Sequence, residues 1–570
     1  MAEADKDKEL SPEVKDALAA LRKPVFSLLI FSLFSNLLIL VVPLYTLQVL
    51  DRVISSGSLD TLLFISIIAV VCLATWGIIQ SIRSMVATRT GRWIRYEMAP
   101  LVFGGTIEHA RAHNSMEGVR LQQTLAQLEQ FAAFSLNTLL DAPWAIIFMT
   151  VLFMIHPLIG SIALLGGFVL LGLALLNHRM TQGVFKEGQG MFQRSQKFIG
   201  NSDTAMETAY VMGMRESLLS RWRELVTPAY DKNCEGNERN LVLGHVTKTL
   251  RYTLQIGVMG TGTYLALENE MTMGAIIAGS ILMGKALQPF DAALSLWKSI
   301  LQVKDGISSI DEFMKEAPKA LQGLPLPKPA SNMEVNGVFF IPKGSKDPVL
   351  DNISFKLPEA STLAIIGSSG AGKTTLSKVL VGYLPLTAGA VRLGGADIHQ
   401  MDRNYAGPYF GYLSQDVGFV QGTVADNIAR MTTDYDPADV VKAAQFSEAH
   451  DTILRLPMGY DTPVLDYPLS AGQKQRVALA RAFYNMPSLV VMDEPNANLD
   501  LHGDRDLNKT LVKAREAGIT TIIISHRSGA LKHASHVLII KNGRMVEFGT
   551  RDEILPKLQG KKAAQEAKAS

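Results

Sequence analysis

The sequence predicts two parts of unlike chemistry: an α-helical membrane domain with six transmembrane helices, then an α/β domain built on a phosphate-binding P-loop. Three observations predict this. Long uncharged runs are confined to the first half, Arg and Lys are concentrated in alternate connections between those runs, and a GxxxxGK[ST] segment lies between a strand-like run and a helix in the second half.

A helical span needs about 20 mainly apolar residues, because each rises about 1.5 Å through a hydrocarbon core of about 30 Å. Residues 24–50 and 61–80 carry no charge, 132–155 carries only Asp141, and 157–177 follows directly after His156. The runs 252–267 and 271–297 are weaker, the first short and the second holding Lys285 and Asp291. Loop charge supports counting both as spans. The connection after the second span holds Arg83, Arg89, Arg92, Arg95, Arg111 and Arg120. The one after the fourth holds Arg179, Lys186, Arg194, Lys197, Arg215, Arg221, Arg223, Lys232 and Arg239. Basic excess marks the cytoplasmic side, which places both termini there. Both connections are too long for plain loops and read as helices continuing out of the membrane.

The expected organisation is a cytoplasmic segment at 1–23, the membrane domain at 24–320, a Pro-rich linker at 321–330, the α/β domain at 331–558 and a frayed tail at 559–570. A formal net charge of +2 gives no reason to expect a nucleic-acid partner. Cys72 and Cys234 have neither a disulfide framework nor a metal-site spacing. The N-terminus, charged and polar, does not read as a cleavable signal, and about 23 residues before the first span leave no room for a peptidase domain. Asp141, Lys285 and Asp291 are candidates for the transport path, while Trp144 and Trp297 read as interface anchors.

In the second half, a strand-like run at 362–366 leads into Gly367, Ser368, Ser369, Gly370, Ala371, Gly372, Lys373, Thr374 and Thr375. Glycines let backbone N–H groups wrap phosphates, and the following helix N-terminus adds a favourable dipole. Lys373 would neutralise the terminal phosphates and Thr374 would ligate Mg²⁺. Further on, an apolar run from Leu489 ends in Asp493 and Glu494. Asp493 would act through the Mg²⁺ shell and Glu494 would polarise the attacking water.

Then comes Leu469-Ser470-Ala471-Gly472-Gln473, opening a helix expected over 473–484. Here the sequence resembles the ABC ATPase family, whose signature is LSGGQ. The resemblance implies a Q-loop glutamine at Gln415, which also reaches the metal, a D-loop from Asn496 to Asp500, and a switch histidine at His526. It makes Ser470, Ala471, Gly472, Gln473 and Asp500 nucleotide-binding, and Glu494, His526 and Gln415 catalytic, with ATP and Mg²⁺ as cofactors. The chain departs from the family at Ala471, where an added methyl would crowd the γ-phosphate. The adenine-stacking aromatic is also missing: Ile341 stands at its position, with Phe340 one residue earlier as a substitute.

In this family each ATP sits between the phosphate loop of one domain and the signature of another, so the resemblance implies a homodimer. Coupling helices are expected near 112–120 and 212–218. Residues 43–53, 141–145, 212–214, 276–286 and 493–500 resemble type I secretion ATPases of the PrtD/HasD type. That resemblance implies export of an unfolded protein with a C-terminal signal across a bacterial inner membrane. Its implied partners are a periplasmic adaptor and a TolC-like outer-membrane channel. The alternative is an exporter or flippase of lipids or small amphipathic molecules. The uncharged spans argue against a soluble ATPase serving nucleic acid, and fusion of the two domains argues against an importer.

Overall fold

The computed structural model of the protein describes residues 10–109, 116–202, 205–316, 327–342, 344–525 and 532–557. It divides into two units, Met1–Pro318 and Lys319–Ser570. His526, residues 112–115 of the expected coupling segment, most of the 321–330 linker and the tail at 559–570 lie outside the described residues, as do the side chains of Asp291 and Trp297.

The first unit is helical. Its elements are α1 (Pro12–Ala20), α2 (Arg22–Leu38), α3 (Val41–Gln48), α4 (Ile54–Ser56), α5 (Leu59–His109), α6 (Met116–Gln130), α7 (Leu136–Asp141), α8 (Ala145–Ile155), α9 (Pro157–Ser202), α10 (Met206–Val211), α11 (Arg215–Leu267) and α12 (Met273–Glu316). The described parts of the long basic connections are helical apart from the turn at 212–214, as their composition suggests. At about 1.5 Å per residue, helices of 51, 46, 53 and 44 residues reach roughly 65–80 Å, about twice the hydrocarbon thickness. Among the described residues five helices are long and apolar enough to cross a membrane. The remaining expected span is the end of α11, where Val258 and Leu265 are buried against α9 and α12 in the core formed by Leu152, Ile159, Leu170, Met283 and Leu287. Residues 212–218 are not a separate short helix. They comprise a turn and the start of α11, and the short helix is α10, just before them.

Helix ends and buried charges are satisfied locally. Asp51 accepts from Gly274 N (2.8 Å) and Thr272 Oγ1 (2.5 Å), which places a carboxylate at the positive end of α12. Asp311 accepts from Ser11 N at 2.6 Å and docks α1 onto the far end of α12. Burial opposes its ionisation, but hydrogen bonds from Lys315 and Ser11 outweigh this and hold the carboxyl below its ordinary value. Asp141, one of the path candidates, is engaged by neighbouring helices. It pairs with Arg83 at 2.8 Å and accepts from Ser32 Oγ and from Asn36 Nδ2 at 3.0 Å. Arg83 also donates to Gln80 Oε1 and Asn137 O, and it is 1% exposed. Lys285 is half-buried on α12. Trp144 departs from the anchor reading: its Nε1 is buried with no partner among the described residues, so its polar end does not reach an interface. Cys72 and Cys234 are free thiols.

The second unit carries two sheets. The antiparallel one has the order β2-β1-β4-β5, with β1 Met333–Phe340, β2 Leu350–Leu357, β4 Ala388–Leu393 and β5 Ala396–Asp397. The other has the order β10-β9-β3-β8-β7-β6, with β3 Thr362–Gly367, β6 Phe410–Leu413, β7 Leu489–Asp493, β8 Thr520–Ile524, β9 His536–Lys541 and β10 Arg544–Thr550. It is parallel except at β10. Every residue of β7 and β8 is buried, as expected for central strands covered on both faces.

The helices of this unit are α13 (Lys373–Leu380), α14 (Arg403–Ala406), α15 (Val424–Ile428), α16 (Pro437–Phe446), α17 (His450–Leu454), α18 (Ala471–Phe483) and α19 (Leu501–Glu516). A helical lobe formed by α15, α16 and α17 has its own core around Val424, Ile428, Val440, Ile453 and Leu456. The long α18 joins that lobe to the sheet. Val477 and Ala480 face the lobe, while Leu479 and Phe483 pack with Val490, Met492 and Ile523. Arg430 staples the same junction by donating to the carbonyls of Gly407, Arg481, Ala482 and Tyr484, and burial lowers its pKa to about 10.

Removing one member of a buried ion pair strands the other, at a cost of about 3 kcal/mol or more. Asp141→Ala should therefore lower the thermal unfolding midpoint of the protein in lipid nanodiscs. The Arg83→Ala/Asp141→Ala double variant should lose less than the two single losses added together.

Candidate active site

Ligand sites of parallel sheets form beyond the carboxyl ends of the strands, and here three adjacent strands supply them. In the order β3-β8-β7, β3 runs into the loop 367–372, β7 ends at Asp493 and β8 ends at Ile524. Loop geometry demands its glycines at two places. A Cβ on Gly367 would lie 2.3 Å from Ile540 O. Gly372 has φ +94°, and a Cβ there would lie 2.9 Å from Val349 O. Lys373 opens α13, is 6% exposed, and donates to Gly367 O (3.0 Å) and Ser368 O (2.8 Å). Burial lowers its pKa, while the charges of Glu494 and Asp493 oppose this.

Asp493 is 1% exposed, and its Oδ1 is buried with no hydrogen-bond partner among the described residues. Its other oxygen accepts from Ser377 Oγ at 3.4 Å. Burial raises the carboxyl above its ordinary range despite hydrogen bonds from Thr374 and Ser377, and the Glu494 charge adds to the rise. Ser377 was not singled out from the sequence, although it stands one helical turn after Lys373 on the face turned to β7. Glu494 is half-buried, with φ +49°, and its N–H donates to Ile524 O at 2.9 Å. Gln415 is exposed two residues beyond β6, the strand beside β7.

The signature segment lies at the N-terminus of α18, which begins at Ala471 rather than at 473. Ser470 and Gln473 form a reciprocal capping box: Ser470 Oγ accepts from Gln473 N (3.3 Å), and Gln473 Oε1 accepts from Ser470 N (2.9 Å). Ala471 is exposed in the first turn, a backbone setting that an alanine adopts without strain. Asp500 caps α19 through Gly503 N (2.7 Å), a bond that holds its carboxyl below the ordinary range. Gln475, also passed over in the sequence, is 2% exposed and bonds the backbone of Glu494 and Pro495. Its sequence signal is a polar residue on the buried stripe with Ala478, Leu479 and Ala482.

Comparison with known families agrees with this arrangement. The ABC transporter family matches residues 350–497, and the ABC transporter transmembrane region matches residues 25–290. The type I secretion system ATP-binding protein PrsD of Rhizobium meliloti (strain 1021) is 34% identical over 526 residues, covering 91% of this chain and 90% of that protein. The chain belongs to the ABC transporters of type I secretion systems. The alpha-hemolysin translocation ATP-binding protein HlyB of Escherichia coli O6:H1 is 25% identical, covering 95% of this chain and 77% of that protein. A solved bacterial Atm1-family ABC exporter with ATP bound has a TM-score of 0.83 at 21% identity, covering 96% of this chain and 99% of the other, a likeness of fold.

This ABC transporter chain is accordingly an ATPase and an exporter by family. The transmembrane family match runs through 252–267, so the end of α11 belongs to the membrane domain although its composition alone falls short. One adenine expectation is corrected. Phe340 is 8% exposed and packed in the core between the sheets, so it is not presented for stacking. Ile341, half-buried, follows it. Phe340→Leu should leave ATP affinity unchanged, while lowering stability by about 1 kcal/mol, as a near volume-conserving core change does; nucleotide titration and denaturant unfolding of the same sample check both.

Proposed function

We propose that two copies of this chain form an exporter that uses ATP to move an unfolded protein across a bacterial inner membrane. The observation that carries the two-copy reading is the separation of motifs within one chain. The phosphate loop and the acidic pair lie at the carboxyl ends of β3 and β7, whereas the signature opens α18, which joins the sheet to the helical lobe. A second domain would supply the signature across each ATP. Relatives named for alpha-hemolysin and leukotoxin translocation support a protein cargo. A periplasmic adaptor and a TolC-like channel would complete the path, and a cytoplasmic ATPase domain at 331–558 follows from the basic connections.

In this reading Gly367, Ser368, Ser369, Gly370, Ala371 and Gly372 wrap the phosphates, Lys373 neutralises them, and Thr375 continues the first turn of α13. Ser470, Ala471, Gly472 and Gln473 approach the other copy's ATP, while Asp500 orders the segment between the two sites. Glu494 takes the proton of the attacking water, and Gln415 and His526 sense the γ-phosphate. Thr374, Asp493 and Gln415 would hold Mg²⁺. The orphaned Asp493 Oδ1 and the neighbouring hydroxyls are the hard oxygen donors that this ion accepts. When bound, Mg²⁺ would supply the positive charge that neutralises charge developing on the phosphates.

Glu494→Gln should abolish ATP hydrolysis in lipid while retaining nucleotide binding, and unchanged turnover would remove Glu494 as the base. In the wild type, stimulation by C-terminal peptides of candidate cargo supports protein export. Stimulation by lipid alone would favour lipid movement instead. A carboxyl raised by burial holds its proton to higher pH, and that proton must leave before the metal binds. Apparent Mg²⁺ affinity should therefore fall on acidification through the raised range, above the pH at which an unshifted aspartate would respond. Mg²⁺-dependent ATP binding to Glu494→Gln, measured calorimetrically, should release protons there.

A further inference from the structure

We propose that Gln475 is a positioning residue for the Glu494 carboxylate, and that through it the signature helix of a domain is tied to that same domain's own hydrolytic site. The inference rests on the reading of Glu494 as the catalytic base. Gln475 lies in the second turn of α18, 2% exposed, with both ends of its amide engaged. Its Nε2 donates to Pro495 O at 2.8 Å and to Glu494 O at 3.2 Å, and its Oε1 accepts from Asn498 Nδ2 at 3.2 Å. One side chain therefore holds three residues of the segment that leaves β7.

The backbone it holds is strained. Glu494 has φ +49°, a left-handed conformation that persists for a non-glycine residue only where its surroundings enforce it. Hydrogen bonds at its backbone help to do so: Glu494 N–H to Ile524 O at 2.9 Å, Ala497 N–H to Glu494 O at 3.1 Å, and the Gln475 side-chain amide to Glu494 O. The first two stay within the sheet and the turn. The third comes from α18. A second contact runs the same way: a Cβ on Gly472 would lie 3.2 Å from Asn498 O, so the first turn of α18 rests on the segment that Gln475 grips. A shift of the α18 N-terminus, where Ser470 and Gln473 cap the helix, is transmitted to the peptide that aims Glu494.

In a two-copy exporter this gives the wiring a direction. The signature of one copy meets the ATP held by the other copy, while its Gln475 sets the Glu494 that faces its own ATP. Closure at one site thereby orients the base at the second.

The test uses full-length protein in lipid. Gln475→Met keeps the length and burial of the side chain and removes its hydrogen bonds. It should lower kcat on the order of tenfold or more, the scale of a misplaced catalytic group, with KM for ATP and nucleotide-dependent closure unchanged. Gln475→Glu preserves the shape but loses the amide donors, so it should show the same split. Should Gln475→Met fail to fold, Asn498→Ala, a change at an exposed residue, should give a smaller kcat loss in a folded protein. Mixed dimers then separate positioning from general damage. With Glu494→Gln in the same copy as Gln475→Met, activity should equal that of the Glu494→Gln mixed dimer. With the two changes in opposite copies it should fall by a further tenfold or so. Equal loss in both arrangements, or a wild-type kcat in Gln475→Met, overturns the proposal while Glu494→Gln remains inactive. Turnover by the Glu494→Gln homodimer would overturn the base assignment itself, and this inference with it.

Discussion

Parallel pairing of β3 with β8, and of β8 with β7, runs in register from Thr362 opposite Thr521 to Asp493 opposite Ile524. Because all three strands point the same way, the phosphate loop after β3, the acidic pair after β7 and the segment after β8 leave the sheet at one end. The rest of the site depends on that. Lys373 and Asp493 are far apart in sequence, yet the Asp493 charge acts on the ionisation of Lys373, because β3, which leads to that lysine, and β7 have only β8 between them. The burial that acts there covers every residue of β7 and β8. It is why the lysine loses and the aspartate gains affinity for a proton.

α18 is the second organising element, since it belongs to two cores at once. Val477 and Ala480 pack into the helical lobe and Leu479 and Phe483 into the sheet. The helix is embedded on both sides, and Arg430, just after α15, fastens its C-terminal end by donating to Arg481 O and Ala482 O and to Gly407 O ahead of β6. The signature at its first turn is thus mechanically continuous with the strand ends that hold the acids.

In the membrane half, helices far longer than the hydrocarbon core is thick continue past it without a break. Charges inside the bundle persist by pairing. Asp141 and Arg83 share a cluster with Ser32 and Asn36, which ties α2, α5 and α7 together. One expectation for the membrane surface, anchoring Trp144, yielded to packing because its polar atom turns inward.

Whatever depends on composition and local spacing was legible in the sequence: four strong spans, the helical nature of the long connections, and the phosphate, acidic and signature motifs. Each follows from forces acting within a few residues or from transfer to hydrocarbon. The adenine question was not legible, because whether Phe340 faces the core or a ligand is set by the register of β1 between β2 and β4. The end of α11 was equally ambiguous, since its burial is provided by α9 and α12. Ser377 and Gln475 carry no motif of their own, and their roles come from strands and helices more than a hundred residues away or from a turn beyond the helix. Sequence alone therefore determined which half is built for a membrane and which carries the ATPase chemistry, because backbone turns and apolar length are local properties. Tertiary structure alone decided which polar groups meet, because hydrogen bonds between distant segments exist only once the sheet and α18 have packed.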